Sequence, residues 1–356
     1  MDLYSSDSTD SSGPEVAFNT IDLSYHRLSQ EAFEDKMLAF EEERRNMHRV
    51  HKLLIKCNQL SFLPSCISSL HNLRHVDVSN NRLTSLPEFF TRFPLVTLNL
   101  RNNSISNENL PKTFASWSRS LRKLNLGGNA LNVFPEQCLE LEALQQLYMG
   151  SNAIEHIPKS IERISGLMVL CLGGNRLSEV PETVGNLNNL EVLILNDNML
   201  ESLPRTIASL KKLKSLQLHN NLLRTLPTEI ITLKHLSELS LRDNPLVIRF
   251  VNDMTLNPGT LLEIAARAVK VQNIPYVADD LPKTLRDYLN TAHHCLNPKC
   301  NGVFFDNRVE HIKFVDFCGK YRVPLLQYLC SAKCVNDDSA LFSSPDHGMM
   351  RKVLLG

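Results

Sequence analysis

No stretch of this 356-residue chain reaches the run of about 18 apolar residues that a bilayer span requires, so a membrane-spanning helix is not expected. The opening MDLYSSDSTDSSGPE is polar and acidic and lacks an apolar h-region, so it does not read as a secretory signal. Residues 1–19 are expected to be disordered. A surplus of either charge is also missing. The 38 Lys and Arg balance 38 Asp and Glu, which argues against nucleic acid or an anionic membrane as the main partner. There is no glycine-rich phosphate loop, no H-E-x-x-H pair and no convincing nucleophile setting, so catalysis is not expected. Without a secretory signal, the nine cysteines are expected to be thiols or metal ligands in a reducing compartment, not disulfides. The expected location is the cytoplasm, with the nucleus as an alternative. What the chain does have is a 43% hydrophobic content, enough for a large core in two compact domains or one elongated array.

An internal period decides between these. The template L-x-x-L-x-L-x-x-N-x-L recurs with its asparagine at Asn58, Asn81, Asn103, Asn129, Asn152, Asn175, Asn198, Asn221 and Asn244. The step is 23 residues except for 22 into Asn103 and 26 from there to Asn129, where ISNENLPKTFASWSRS carries an insertion. Most repeats continue with an apolar-Pro pair, as in SLP, HIP, EVP and TLP. Over residues 50–246 this pattern resembles the leucine-rich repeat family. The resemblance implies an α/β solenoid, a horseshoe of nine repeats spanning residues 50–248. Each unit would supply a short strand with its leucines inward, and the units bury a core only when stacked. The ends then need covers. AFEDKMLAFEEERRNMHRV reads as an amphipathic helix within a front cap at 20–49, with Phe33, Met37, Leu38 and Phe40 as its buried side. IDLSYHRLS before it reads as a degenerate half-repeat with His26 in the asparagine slot.

The outward strand positions of the middle repeats carry Tyr148, Met168, Val169, Cys171, Val192 and Ile194 among polar neighbours. An apolar centre with a polar rim suits protein recognition. Strand propensity alone also favours valine, isoleucine and tyrosine there.

Behind the repeats, residues 255–290 hold two further elements. NPGTLLEIAARAVKV places Thr260 as N-cap, with Glu263 completing a capping box and an apolar stripe following. Capping the last repeat is one explanation. The spacing of Leu261, Ala265 and Val269 also resembles the elongin-binding box, a helix that lays a leucine, a small residue and an apolar residue into a partner's groove. LPKTLRDYL at 281–289 resembles the second half of the suppressor-of-cytokine-signalling box. That likeness implies a cullin contact through Leu281, Pro282, Leu285 and Tyr288. Lys283 and Thr284 stand where that box has a second proline, and some 65 residues follow where the box usually ends its chain.

Five cysteines crowd the segment 291–335. The pairs Cys295/Cys300 and Cys330/Cys334, C-x4-C and C-x3-C, suit a four-thiolate zinc site of structural type. A small core with buried thiols is the alternative. Cys318 is a spare ligand or an ordinary thiol, and His293, His294 or His311 could replace one ligand. Residues 336–356 read as a flexible tail. Taken together, the sequence points to a substrate-recognition adaptor of an elongin–cullin–RING ubiquitin ligase, with a client protein on the concave repeat surface. The alternative is a scaffold for a signalling protein, in which 255–290 only caps the solenoid.

Overall fold

The computed structural model describes residues 19–42, 47–246, 260–277, 280–297, 299–317, 321–335 and 352–354. Residues 1–18 of the expected disordered start, Cys318 and all of the 336–356 tail except 352–354 lie outside these residues. The strands, in chain order, are β1 (Thr20–Asp22), β2 (Lys52–Leu54), β3 (His75–Asp77), β4 (Thr97–Asn99), β5 (Lys123–Asn125), β6 (Gln146–Tyr148), β7 (Val169–Cys171), β8 (Val192–Ile194), β9 (Ser215–Gln217), β10 (Leu226–Pro227) and β11 (Glu238–Ser240). All but β10 pair in parallel, each with the next, into the concave sheet of a horseshoe. From β2 onward each strand of this sheet buries its middle residue, a leucine or valine, and turns its first and third residues to the open side.

On the far side of seven repeats, one turn of 3-10 helix starts directly after a proline: Pro64, Pro87, Pro135, Pro158, Pro181, Pro204 or Pro227. Proline fixes φ near the helical value and gives up an N–H that a helix start does not need. That accounts for the apolar-Pro pairs. The repeat asparagines form a ladder between units. Asn198 Nδ2 donates to the carbonyls of Leu172 and Leu195, both at 3.0 Å, and its Oδ1 accepts the Leu177 N–H at 3.0 Å. Asn221 repeats the same three bonds one unit on. The residue before each ladder asparagine is left-handed: Cys57, Asn80, Asn102, Gly128, Ser151, Gly174, Asp197, Asn220 and Asp243. Asn, Asp and Gly dominate there because they tolerate positive φ best. Replacing Asn198 by alanine strands buried backbone groups on neighbouring units and is expected to cost about 2–5 kcal/mol. Urea unfolding checks this, and a loss below about 1 kcal/mol would mean that the ladder is decorative.

The insertion before Asn129 is part of the core. It forms two 3-10 turns and buries Phe114 and Trp117, whose Nε1 donates to the Phe93 carbonyl at 3.1 Å. At the front, α1 (Gln30–Glu42) buries Phe33 and Met37 and half-buries Phe40, but Leu38 is exposed, contrary to the sequence expectation. One residue beyond Met37 is about 100° around the helix, off the inward face. The half-repeat supplies β1, and Asn58 Nδ2 reaches back to the Leu23 carbonyl at 2.8 Å. His26, in the asparagine slot, bonds to the nearby Ser24 carbonyl.

The rear of the stack differs from expectation. After the repeats come α2 (Leu261–Val271), α3 (Lys283–Asn290), β12 (His293–His294), β13 (Val303–Phe304), β14 (Val309–Phe317), β15 (Tyr321–Leu329) and β16 (Lys352–Leu354). The hairpin β14–β15 covers the solenoid: β15 pairs in parallel with β10, and its Val323 and Leu325 join the main core. The guanidinium groups of Arg205 and Arg308 lie 3.9 and 4.1 Å from the centre of the Tyr328 ring, and Arg205 thereby fastens the hairpin to the repeats. β16 extends the concave sheet beyond β11, so this part of the expected flexible tail is a strand. The 291–335 segment thus packs on the repeats through β15. α2 instead packs in a second, small core, where Ala266 meets Leu289, Val303 and Phe305.

Candidate functional site

The sheet register sets the expected client residues side by side. Tyr148, Cys171 and Ile194 are consecutive partners in one column, and Val169 and Val192 are partners in the next. Each is half-buried, as is Met168 just ahead of β7. Val169, Val192 and Ile194 thus form one apolar patch, with Lys123 5.3 Å from the centre of the Tyr148 ring at its edge. Beside it, Cys171 lies in a cavity of about 300 Å³ shared with Tyr148, Asn125 and Arg101. Burial raises the Cys171 thiol above its ordinary value, against the Gly173 and Gly150 amides that face it. A thiol so held is an apolar lining group, not a nucleophile.

The second region is built around α2. Thr260 caps it, its hydroxyl accepting the Glu263 N–H at 3.2 Å. The other half of the expected capping box is absent. Instead of turning back to Thr260, the Glu263 side chain is buried. Its carboxylate accepts the amides of Phe305 at 3.3 Å and Asn307 at 3.0 Å, and pairs with Arg267. Arg267 also donates to the carbonyls of Cys330, at 2.8 Å, and Asn307. Burial alone would raise the Glu263 carboxyl, but Arg267 and the two amides outweigh it and hold the group below the usual glutamate range. The polar side of α2 is therefore its anchored side.

The apolar side is left outside. Leu261 is 86% exposed, and Leu262, Ile264, Ala265, Ala268 and Val271 are exposed with it. Ile274 and Val277 continue the patch past the end of the helix, where Asn273 is left-handed and Ile274 donates back to the Val269 carbonyl. Of the residues expected at elongin, Leu261 and Ala265 face outward, whereas Val269 is half-buried against the small core. The free stripe thus runs Leu261, Ile264/Ala265, Ala268, Val271. Of those expected at a cullin, Pro282 is exposed and starts α3. Leu285 is half-buried, and Leu281 and Tyr288 belong to the small core. The Tyr288 ring stacks on Phe305 at 4.7 Å, and its hydroxyl meets Asp306 at 3.3 Å.

Beneath α2 lies the cysteine cluster. The sulfurs of Cys295, Cys300, Cys330 and Cys334 all fall within 4.8 Å of one another, and all four cysteines are free. Cys300 and Cys330 are 3.5 Å apart, and Cys330 and Cys334 are 3.7 Å apart. Zinc–sulfur bonds of about 2.3 Å would put the edge of a thiolate tetrahedron near 3.8 Å, so these four suit a metal ion. The Gly302 amide donates to Cys300 Sγ at 3.2 Å and the Cys330 amide to Cys295 Sγ at 3.5 Å, bonds that favour thiolates. A Cβ on Gly302 would stand 2.5 Å from Cys330 Sγ, so glycine is required there. The group comprises cysteines alone among the described residues, while His293 and His294 are exposed.

Comparison with known proteins agrees with this architecture. A family model described as Leucine rich repeat matches residues 94–154, 119–177, 165–223 and 188–246, and a second, Leucine Rich Repeat, matches 72–93. The chain is 63% identical over 325 residues to leucine-rich repeat-containing protein 58 of Mus musculus, covering 89% of each. The chain belongs to the leucine-rich repeat-containing protein 58 family. The member from Xenopus laevis is 56% identical over 356 residues, 97% of this chain and 99% of that protein, so the family likeness includes the segments behind the repeats. Among solved structures, the crystal structure of a TDR receptor aligns with a TM-score of 0.52 and 26% identity, over 64% of this chain and 43% of that one. As a leucine-rich repeat protein, this family member is built for protein–protein interaction. No helix among its described residues is long and apolar enough to cross a membrane.

Proposed function

We propose that this protein is a non-catalytic substrate adaptor of an elongin–cullin–RING ubiquitin ligase, with a client on the concave face and elongin on α2. The reading rests on one observation: α2 is anchored through Glu263, Ala266 and Arg267, which leaves its apolar stripe in solvent. A helix serving only as a cap would bury that stripe. The lid is β15, so α2 is free for a partner. The cullin would then meet the exposed start of α3 at Pro282, with Tyr288 positioning the helix from below. Zinc held by Cys295, Cys300, Cys330 and Cys334 would have a structural role, since four thiolates leave no position for substrate or water.

Elongin B and C should be captured by the wild-type chain and lost with Leu261→Asp. Burying a leucine is worth roughly 2–3 kcal/mol, and a charge in the same groove costs more, so binding should fall well over tenfold. Since Leu261 is in solvent, the variant should keep the wild-type melting temperature. Equal capture by both proteins, or by neither, would refute the assignment.

A further inference from the structure

We infer that the concave face selects an acidic client segment, one in which an apolar side chain stands next to carboxylates. The inference rests on the reading that this face holds the client. Two features of the surface carry it.

The first is a notch. Gly127, Gly150 and Gly173 occupy equivalent positions after β5, β6 and β7, where the flanking repeats carry Arg101 and Asn196, and they line the 300 Å³ cavity. A Cβ on Gly150 would come within 2.9 Å of the Gly173 carbonyl oxygen, and one on Gly173 within 2.5 Å of Asn196 Oδ1. The bare backbone keeps open a recess against Tyr148 and Cys171, next to the valine–isoleucine patch, of a size for one inserted side chain.

The second is a charge gradient. Lys52, Arg74, Arg101, Arg122 and Lys123 are all exposed in the first strands of the sheet, on or beside its open columns. Among the described residues none of them stands in an ion pair. The carboxylate facing them, Asp77, is occupied by the Ser79 amide and hydroxyl. His75 registers the field: after burial, the charges of Lys52, Arg74 and His51 hold it below the usual imidazole range. In the later repeats the same positions carry Glu238 and Arg242, and Glu191 paired with Lys214 at 2.6 Å, so acid and base balance there. Unpaired charges of one sign beside an apolar recess attract and orient a partner of the opposite sign. The apolar neighbour favours a protein segment over a nucleic acid.

Panning a random peptide phage library on the full-length chain tests this. The enriched peptides should combine one aliphatic or aromatic residue with adjacent Asp or Glu. In fluorescence titrations the R101E/K123E variant should bind them about tenfold more weakly, and Lys214→Glu, at the other end of the face, within about twofold of wild type. Both variants alter exposed side chains and should match the wild-type melting temperature. Enrichment of neutral or basic peptides, no enrichment, or affinity indifferent to R101E/K123E would overturn the inference. So would tighter binding of a single-stranded oligonucleotide than of any selected peptide. Elongin capture separates the two proposals: failed selection beside retained capture removes the acidic client and leaves the adaptor, and the reverse does the opposite.

Discussion

Replacing Cys330 by serine is expected to remove one corner of the four-cysteine cluster and loosen everything packed on it, while leaving the repeats folded. Four sulfurs within 4.8 Å are a poor arrangement for thiols and a good one for thiolates around a dication. Binding of zinc to such sites is worth about 10–16 kcal/mol in small finger peptides at neutral pH, and that energy is folding energy. Here it would be spent locally, because Cys330 follows directly on β15, the strand that closes the stack, and its carbonyl accepts Arg267 of α2. One zinc per wild-type chain, and close to none in Cys330→Ser, is the expected elemental analysis. Limited proteolysis should then cut first within 260–335. A metal-free wild-type chain of full stability would establish the alternative, a small core of buried thiols.

Replacing Glu263 by alanine should have the second-largest effect, on a residue far from the clustered cysteines in sequence. The change leaves half-buried Arg267 without its counter-charge and deprives the amides of Phe305 and Asn307 of their acceptor. Breaking a fully buried pair costs about 3–5 kcal/mol, and with Arg267 partly in solvent the loss should lie at or below the lower end of that range. The loss should fall on the small core, visible as fast hydrogen exchange over 260–277 with little change in the repeats. The pH dependence has a definite sign. The Glu263 carboxyl is lowered in the folded chain, so its contribution is complete at neutral pH. It drains away as acid protonates the group below the ordinary glutamate range. Wild-type protection over 260–277, corrected for the intrinsic exchange rate, should therefore fall only once the pH drops below the ordinary glutamate range, and that of Glu263→Ala should not. Equal behaviour of the two would remove Glu263 from the account.

The solenoid was legible because its determinants are local and repeated. Leucines at fixed spacing, a ladder asparagine and a turn proline recur within each 23-residue unit, and each repeat restates the same instruction. The cysteine cluster was legible in part: two close pairs, with alternating apolar and polar residues between them that suggest a strand or two, pointed to it, although the pairing of that hairpin with the repeats did not show. What stayed hidden depends on distant partners. Nothing near Glu263 says that its carboxylate will meet amides at 305 and 307, so the local rule of a capping box took its place. Likewise β15 reads as an ordinary strand, and only its pairing with Leu226 and Pro227, about 100 residues earlier, makes it the lid. With the lid misassigned, the outward stripe of α2 could be read as a cap as easily as a docking face. The same gap displaced Val269, which spacing alone set beside Leu261 and Ala265 but the small core draws inward.

Hydrogen exchange of the full-length chain with and without elongin B and C tests the central claim most directly. The account predicts slowed exchange confined to α2 and the residues just after it, 261–277, with the concave strands unchanged and free for a client. No protection anywhere, or protection on β5–β8 instead of α2, would contradict it.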